Sequence, residues 1–260
     1  MSSLQDSISV LSGRDHWHTP AAAGISEIRM SDGPAGVRGT SWSGPRSAVF
    51  PCGSALGATF DPALIEEVGI ALGQQAQSKS AHVLLAPTVN LHRTPIGGRN
   101  FECMSEDPFL TGELAKAYIE GVQSQGVACC IKHFVGNDTE YQRMTISSEI
   151  DERTLREVYL LPFEMAVDQG VRAVMTGYNR LNGIFCSDHE WLISKVLREQ
   201  WGFEGVVISD WFGLHSTVEA INAGLDIEMP GPSRHRGELL EAAVTDGQVD
   251  LATIDASVER

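Results

Sequence analysis

The stretch Val206-Val207-Ile208-Ser209-Asp210-Trp211 runs three β-branched apolar residues straight into a carboxylate flanked by Ser and Trp. Such a run reads as a short strand buried on both faces, the pattern of a parallel sheet covered by helices. A carboxylate at the end of that strand needs a reason, because burying one without a partner is costly. Working outward, the same pattern recurs. Apolar runs at Ile28–Met30, His82–Ala86, Ala128–Ile131, Ala173–Met175 and Leu225–Ile227 read as further strands. Between them lie helical patterns. Asp61-Pro62 and Asp107-Pro108 each supply an N-cap followed by an N1 proline, predicting helices over Pro62–Ser78 and Phe109–Gln125. Asp151 opens a helix to about Gln169 with Gly170 as its stop; Ser187 or Asp188 opens one ending near Gly202, and Glu238–Thr245 reads as another.

Strands alternating with helices imply parallel strands joined by right-handed crossovers. Two architectures compete, a closed (β/α)8 barrel and an open doubly wound sheet. No GxGxxG follows the first strand, which removes the main support for a nucleotide-binding open sheet. Polar residues end strand after strand: Asp32, Asn90, Lys132 with His133, Tyr178 with Asn179, Asp210 with Trp211, and Glu228. In a barrel those ends converge on one face, where active sites are built. The expected fold class is therefore an α/β, TIM-like (β/α)8 barrel occupying residues 1–260 as one domain, with two strands short or irregular.

The chain has 260 residues, 42% hydrophobic and 20% charged, the balance of a globular domain. No run reaches the 18 or so apolar residues of a membrane span. The net charge of −15, from 19 basic and 34 acidic residues, disfavours nucleic acid and anionic membranes as partners and suits small neutral or cationic molecules. The N-terminus lacks the basic and apolar regions of a signal peptide, so a cytoplasmic location is the default expectation. Five cysteines without a CxxC read as free buried thiols. Asn137-Asp138-Thr139 is a glycosylation sequon, relevant only to a secreted chain.

Each polar strand end has a bland reading beside a chemical one. Asp210 suits a helix N-cap or a reacting carboxylate, and Trp211 suits core packing or stacking on a sugar face. Lys132 reads as a salt-bridge partner, a hydroxyl binder or a Schiff-base nucleophile; His133 as a core histidine or a site residue. Arg99, behind Gly97-Gly98, is a loop ion pair or a planar donor fork, and Asp32 in Ser31-Asp32-Gly33-Pro34 is a turn residue or a ligand group. His82, His92, His133, Asp210 and Glu228 lack any metal-binding spacing, and no cofactor motif occurs. Gathered at one mouth, acids, Lys, His, Arg and aromatics form a polyol site. Asp210 is then a candidate nucleophile for a retaining glycosidase, kept ionised by Lys132 and Arg99.

The ordered blocks LSGRDHWHT, SDGPAGVRGT, FPCGSALGATFD, APTVNLHRTPIGGRNFECMSEDP, IKHFVGNDTEYQR, MTGYNRLNG, WGFEGVVISDW and AGLDIEMPGP resemble glycoside hydrolase family 3, in particular its β-glucosidases. The resemblance implies hydrolysis of terminal non-reducing β-D-glucosyl residues, with Asp210 as nucleophile. It also implies sugar contacts from Asp32, Arg99, Lys132 and His133, Tyr178 beside the reacting centre, and Arg38 as a further contact. It requires no cofactor and allows secretion. N-acetylglucosaminidases of the family carry an acid/base His in the loop after the KHF block. Here Val135–Arg143 holds none, so the chain is similar to the glucosidase or xylosidase type. In that type the general acid is a Glu on a second, C-terminal α/β sandwich domain. The expectation is a barrel truncated before that domain, with an exposed apolar patch where the domain docks. The alternatives are a sugar-binding fragment without catalysis, a β-xylosidase, and a Schiff-base aldolase built on Lys132.

Overall fold

The computed structural model describes residues 3–41 and 43–260; Met1 and Ser2, where the leader reading begins, and Trp42 lie outside them. The strands are β1 (Met30–Asp32), β2 (Val83–Leu85), β3 (Ala128–Phe134), β4 (Ser147–Ser148), β5 (Ala173–Thr176), β6 (Arg180–Leu181), β7 (Ile184–Phe185) and β8 (Val206–Ile208). Five of them form one parallel sheet in the order β1-β2-β3-β5-β8. Beyond β8 the sheet continues by single bridges. Ile227 pairs with Ile208, and Glu228 pairs with Ser12. The segment that begins at Ser12 then reaches β1, where the Met30 amide donates to the Trp17 carbonyl at 2.8 Å and His18 bridges to Arg29. The ring is thus closed by irregular backbone at the two places where regular strands are lacking, a TIM-like barrel with a partial strand set.

Alternation along the strands sorts the core into two layers. Met30, Leu85, Cys130, Ala173, Met175, Ile208, Ile227 and Met229 pack with Trp17 inside the ring. Their neighbours Leu84, Cys129, Ile131, Val174 and Val207 face outward onto the helices. The adjacent cysteines therefore lie on opposite faces. All five thiols are free; four are buried and Cys52 is half-buried. A third cluster, Ile8, Val10 and Leu11 with Leu240, Ala243 and Ile254, ties the N-terminal segment to the last helices.

Asp61 and Asp107 cap their helices as expected, whereas the helix expected from Ser187 or Asp188 opens only at Trp191, because Asp188 accepts from the Ser216 hydroxyl and caps no helix amide. Asp61 accepts from the Ala63 and Leu64 amides ahead of Pro62–Ser78, and Asp107 accepts from Phe109 and Leu110 ahead of Pro108–Ser124. Each such cap is worth about 1 kcal/mol. The helix from Asp151 is broken by a π turn at Leu155–Tyr159, and Trp191–Gln200 is wound as a π-helix. Three further expectations need correction. The first strand begins at Met30 rather than Ile28, because Ile28 is already paired with Thr19. Leu225–Ile227 forms one bridge instead of a strand; beyond it come Pro230 and Pro232, which carry no N–H to extend a ladder. The small sheet of β4, β6 and β7 was not foreseen, since two-residue strands carry no readable periodicity.

At the closing seam Asp226 is wholly buried. Its carboxylate accepts from Arg198 and Arg260, each at 2.7 Å, and from the Val207 amide at 2.8 Å. Removing it strands the Arg198 guanidinium in the seam. Asp226→Ala is expected to lower stability by roughly 3–5 kcal/mol in urea unfolding, the usual cost of breaking a buried pair. A change under about 1 kcal/mol would show the pair to be energetically idle.

Candidate active site

The C-terminal ends of the five parallel strands open onto a cavity of about 420 Å³. It is lined by Asp32, Arg38, Arg99, Lys132, His133, Tyr178, Asp210 and Trp211, together with His16, Trp17, Leu85, Arg143 and Met175. All eight site residues expected from the sequence thus meet in one place. A larger cavity of about 700 Å³ lies at the opposite end, lined by the strand starts Val83, Ala128 and Val206 with Arg172, Glu204 and Arg260. The mouth cavity carries the chemistry, because there the ionisable groups converge.

Asp32 ends β1 in a tight turn. Gly33 has φ +129°, and a Cβ there would sit 2.0 Å from the Gly36 carbonyl oxygen, so only glycine fits. The Lys132 ammonium donates to Asp32 at 2.8 Å across the mouth. Burial works to raise the Asp32 carboxyl, and Lys132 overrides it, holding the group below its usual range. An ion-paired ammonium is not a nucleophile, which removes the support for Schiff-base chemistry.

Asp210 follows β8. Its Oδ1 accepts from the Trp211 amide at 2.7 Å, while Oδ2 is buried without a hydrogen-bond partner among the described residues. That oxygen lies 3.6 Å from His133 Nε2. Burial raises the Asp210 carboxyl above its usual range, outweighing Lys132, the Trp211 amide, Tyr178 and Arg99. Lys132 and Arg99 act in the expected direction but do not prevail over burial. The Tyr178 hydroxyl donates to the Trp211 carbonyl at 2.9 Å, and burial, with the Asp210 charge adding, raises its pKa. Arg143 stacks over the Tyr178 ring at 4.9 Å. Trp211 donates its indole N–H to the His16 carbonyl at 3.0 Å and packs 5.7 Å from Trp17, giving the mouth an aromatic wall.

Arg99 is held by Glu102 and reaches His133 Nε2 at 3.2 Å. Next to it a second cavity of about 400 Å³ shares Asp32, Arg38 and Arg99 and is walled by Cys52, Met104 and the exposed Val49 and Phe101. Three polar strand ends do not line the mouth. Asn90 lies behind His133, and Asn179 is spent on the Val135 and Arg180 carbonyls. Glu228 accepts from the amides of Arg234, His235 and Arg236 and the Ser233 hydroxyl, which makes it a loop organiser. His16, Trp17, Leu85, Arg143 and Met175 were missed. His16 and Trp17 belong to the quoted LSGRDHWHT block and Arg143 to IKHFVGNDTEYQR, but none sits at a predicted strand end.

The model for the glycosyl hydrolase family 3 N-terminal domain matches residues 36–260. A β-glucosidase of Rhizobium radiobacter is 60% identical over 262 residues, covering 99% of this chain and 32% of that protein. The chain belongs to glycosyl hydrolase family 3. A probable β-glucosidase K of Emericella nidulans is 49% identical over 96% of this chain and 30% of its own length. Among solved structures, the Kluyveromyces marxianus β-glucosidase in complex with glucose superposes with a TM-score of 0.95 at 42% identity, over 98% of this chain and 32% of that one. The Thermotoga neapolitana β-glucosidase 3B in complex with glucose gives 0.91 at 40% identity, over 98% and 40%. This family 3 chain spans about a third of the length of the curated relatives it matches.

Two predictions follow from the buried carboxylate and the buried sequon. A folded-state pKa above the unfolded value means the native state binds more protons, so ionising Asp210 costs stability as pH rises through that window. Asp210→Asn is therefore expected to stabilise the chain by about 1–3 kcal/mol at pH 7. The gain should vanish near pH 3.5, below the unfolded aspartate pKa of about 3.9. Thermal unfolding at both pH values reads this out, and a gain equal at both would contradict it. Asn137 is 9% exposed with both amide atoms buried. Expression of the folded chain in a glycosylating host should leave Asn137 unmodified by peptide mass mapping, and a glycan there would contradict the observed packing.

Proposed function

We propose that the mouth cavity binds the terminal β-D-glucosyl residue of a small glucoside and that Asp210 is the nucleophile of a retaining hydrolysis. The observation that carries this is the split state of its carboxylate. Oδ1 is anchored by a backbone amide, and Oδ2 is bare in a cavity rich in donors. In this reading Asp32, Lys132, Arg99 and Arg38 hold the sugar hydroxyls, His133 braces Arg99 from behind, Trp211 lies against the apolar face of the sugar and Tyr178 borders the reacting centre. Asp210 Oδ2 bonds to the anomeric carbon as the bond to the aglycone oxygen breaks. Water then displaces Asp210, so that two inversions retain the configuration. Glucose bound to the Kluyveromyces and Thermotoga relatives supports a sugar as the ligand.

The departing oxygen needs a proton. Among the described residues the cavity lining holds two carboxylates, and Asp32 is committed to Lys132. We place the acid outside these 260 residues, on the second α/β domain that the family resemblance implies. The lack of a free second carboxylate also favours the rival reading, sugar binding without turnover.

A 2-deoxy-2-fluoroglucosyl fluoride separates the two, since its leaving group needs no acid. The chain should gain one fluoroglucosyl unit, mapped to the peptide containing Asp210, and Asp210→Asn should gain none. Label on another residue, or no label despite saturable glucose binding, would reject Asp210 as nucleophile.

A further inference from the structure

Asn90 follows β2 and is buried, yet it does not line the cavity. Among the described residues its amide bonds to residue 133 alone. Nδ2 donates to the His133 carbonyl at 2.9 Å, while Oδ1 accepts from the His133 backbone amide at 2.9 Å and sits 3.0 Å from Nδ1 of the ring. The orientation of the amide follows from chemistry. A backbone N–H only donates and a backbone C=O only accepts, so the end of Asn90 that meets the N–H must be its oxygen. That same oxygen meets Nδ1, which must then carry a proton. From the other side Arg99 approaches Nε2 at 3.2 Å, and a guanidinium has only donors, so Nε2 must offer its lone pair. Two independent neighbours demand the same proton placement.

We infer that Asn90 is a positioning residue that fixes His133 as the Nδ1–H tautomer, so that its Nε2 lone pair accepts from Arg99 and orients that guanidinium at the cavity. Lys132 and Arg99 are pure donors, and Asp32 and Asp210 are acceptors already engaged or reactive. Arg99, held by Glu102 on one side and by the neutral ring on the other, keeps its remaining N–H groups for the cavity. The competing state is an imidazolium bonded to Asp210. Oδ2 lies 3.6 Å from Nε2, beyond hydrogen-bond reach. Burial disfavours the charged ring, and Arg99, Lys132 and Arg143 add to that, so the pKa of His133 falls well below its ordinary value. The presentation of Arg99 to a ligand rests on the sugar-site reading; the tautomer does not.

Long-range ¹H–¹⁵N correlation of the histidine rings in the 260-residue chain tests this without substrate, with His133 assigned by the peaks lost in His133→Gln. The expected pattern at pH 7 is a pyrrole-type Nδ1 and a pyridine-type Nε2. The reverse pattern, or two pyrrole-type nitrogens, would overturn the inference. In Asn90→Leu the Nδ1 proton loses its acceptor, and the two ring-nitrogen signals should move toward the averaged positions of a mixed tautomer at the same pH. A folded Asn90→Leu whose His133 spectrum is unchanged would also overturn it, and if that variant fails to fold the unsubstituted chain decides alone. Added glucose should move the Nε2 signal without protonating it. A ring untouched by saturating glucose would reject the sugar site while the tautomer measurement stands.

Discussion

Everything at the barrel mouth depends on holding a buried carboxylate, Asp210, with one oxygen left bare. The strand Val206–Ile208 gives it a rigid base, and the Trp211 amide fixes one oxygen. Burial makes the ionised form costly, and no neighbour fully offsets that cost. A fold optimised for stability alone would not keep such a group. The remaining polar residues make sense around it. Lys132 supplies positive charge yet is itself anchored by Asp32, so it does not collapse onto Asp210. His133 is kept neutral, and Arg99 is turned by Glu102 and His133.

The support extends outward by short links. One strand, Ala128–Phe134, delivers both Lys132 and His133, and the segment after Val83–Leu85 runs beside it through Thr88 and brings Asn90 against His133. Trp211 is braced by the His16 carbonyl, so the N-terminal segment that closes the ring also shapes the aromatic wall. Barrel closure and site geometry are therefore one structural problem. The same segment that substitutes for a strand bonds to Glu228, whose carboxylate organises the last loop.

Much of this was legible because it rests on local rules. Strand cores, capped helices and the polar residue after each strand follow from burial, dihedral preference and period, and they brought Asp32, Lys132, His133, Tyr178, Asp210 and Trp211 to one mouth, whereas Arg99 stood on a loop reading and Arg38 on the family resemblance alone. What was not legible depends on tertiary closure. His16 and Trp17 lie in a segment without periodicity that finds its place only when it spans the gap between Glu228 and Met30. Arg143 sits in a loop, and its position over Tyr178 is a packing outcome. Glu228 and Asn179 obeyed the strand-end rule yet turned to the backbone, because buried amides and carbonyls nearby had first claim on them. The direction of the Asp210 shift was also hidden, since the strength of burial relative to two cations cannot be weighed from spacing.

The central claim is that the mouth cavity is the sugar site and that Asp210 Oδ2 faces the anomeric carbon. A crystal structure of this chain soaked with glucose tests it most directly. The account predicts the sugar in the mouth cavity, its anomeric carbon about 3–3.5 Å from Asp210 Oδ2, a near-attack separation, with hydroxyls on Asp32, Lys132 and Arg99. Glucose bound in the cavity at the opposite end, or turned so that another ring carbon faces Asp210, would contradict it.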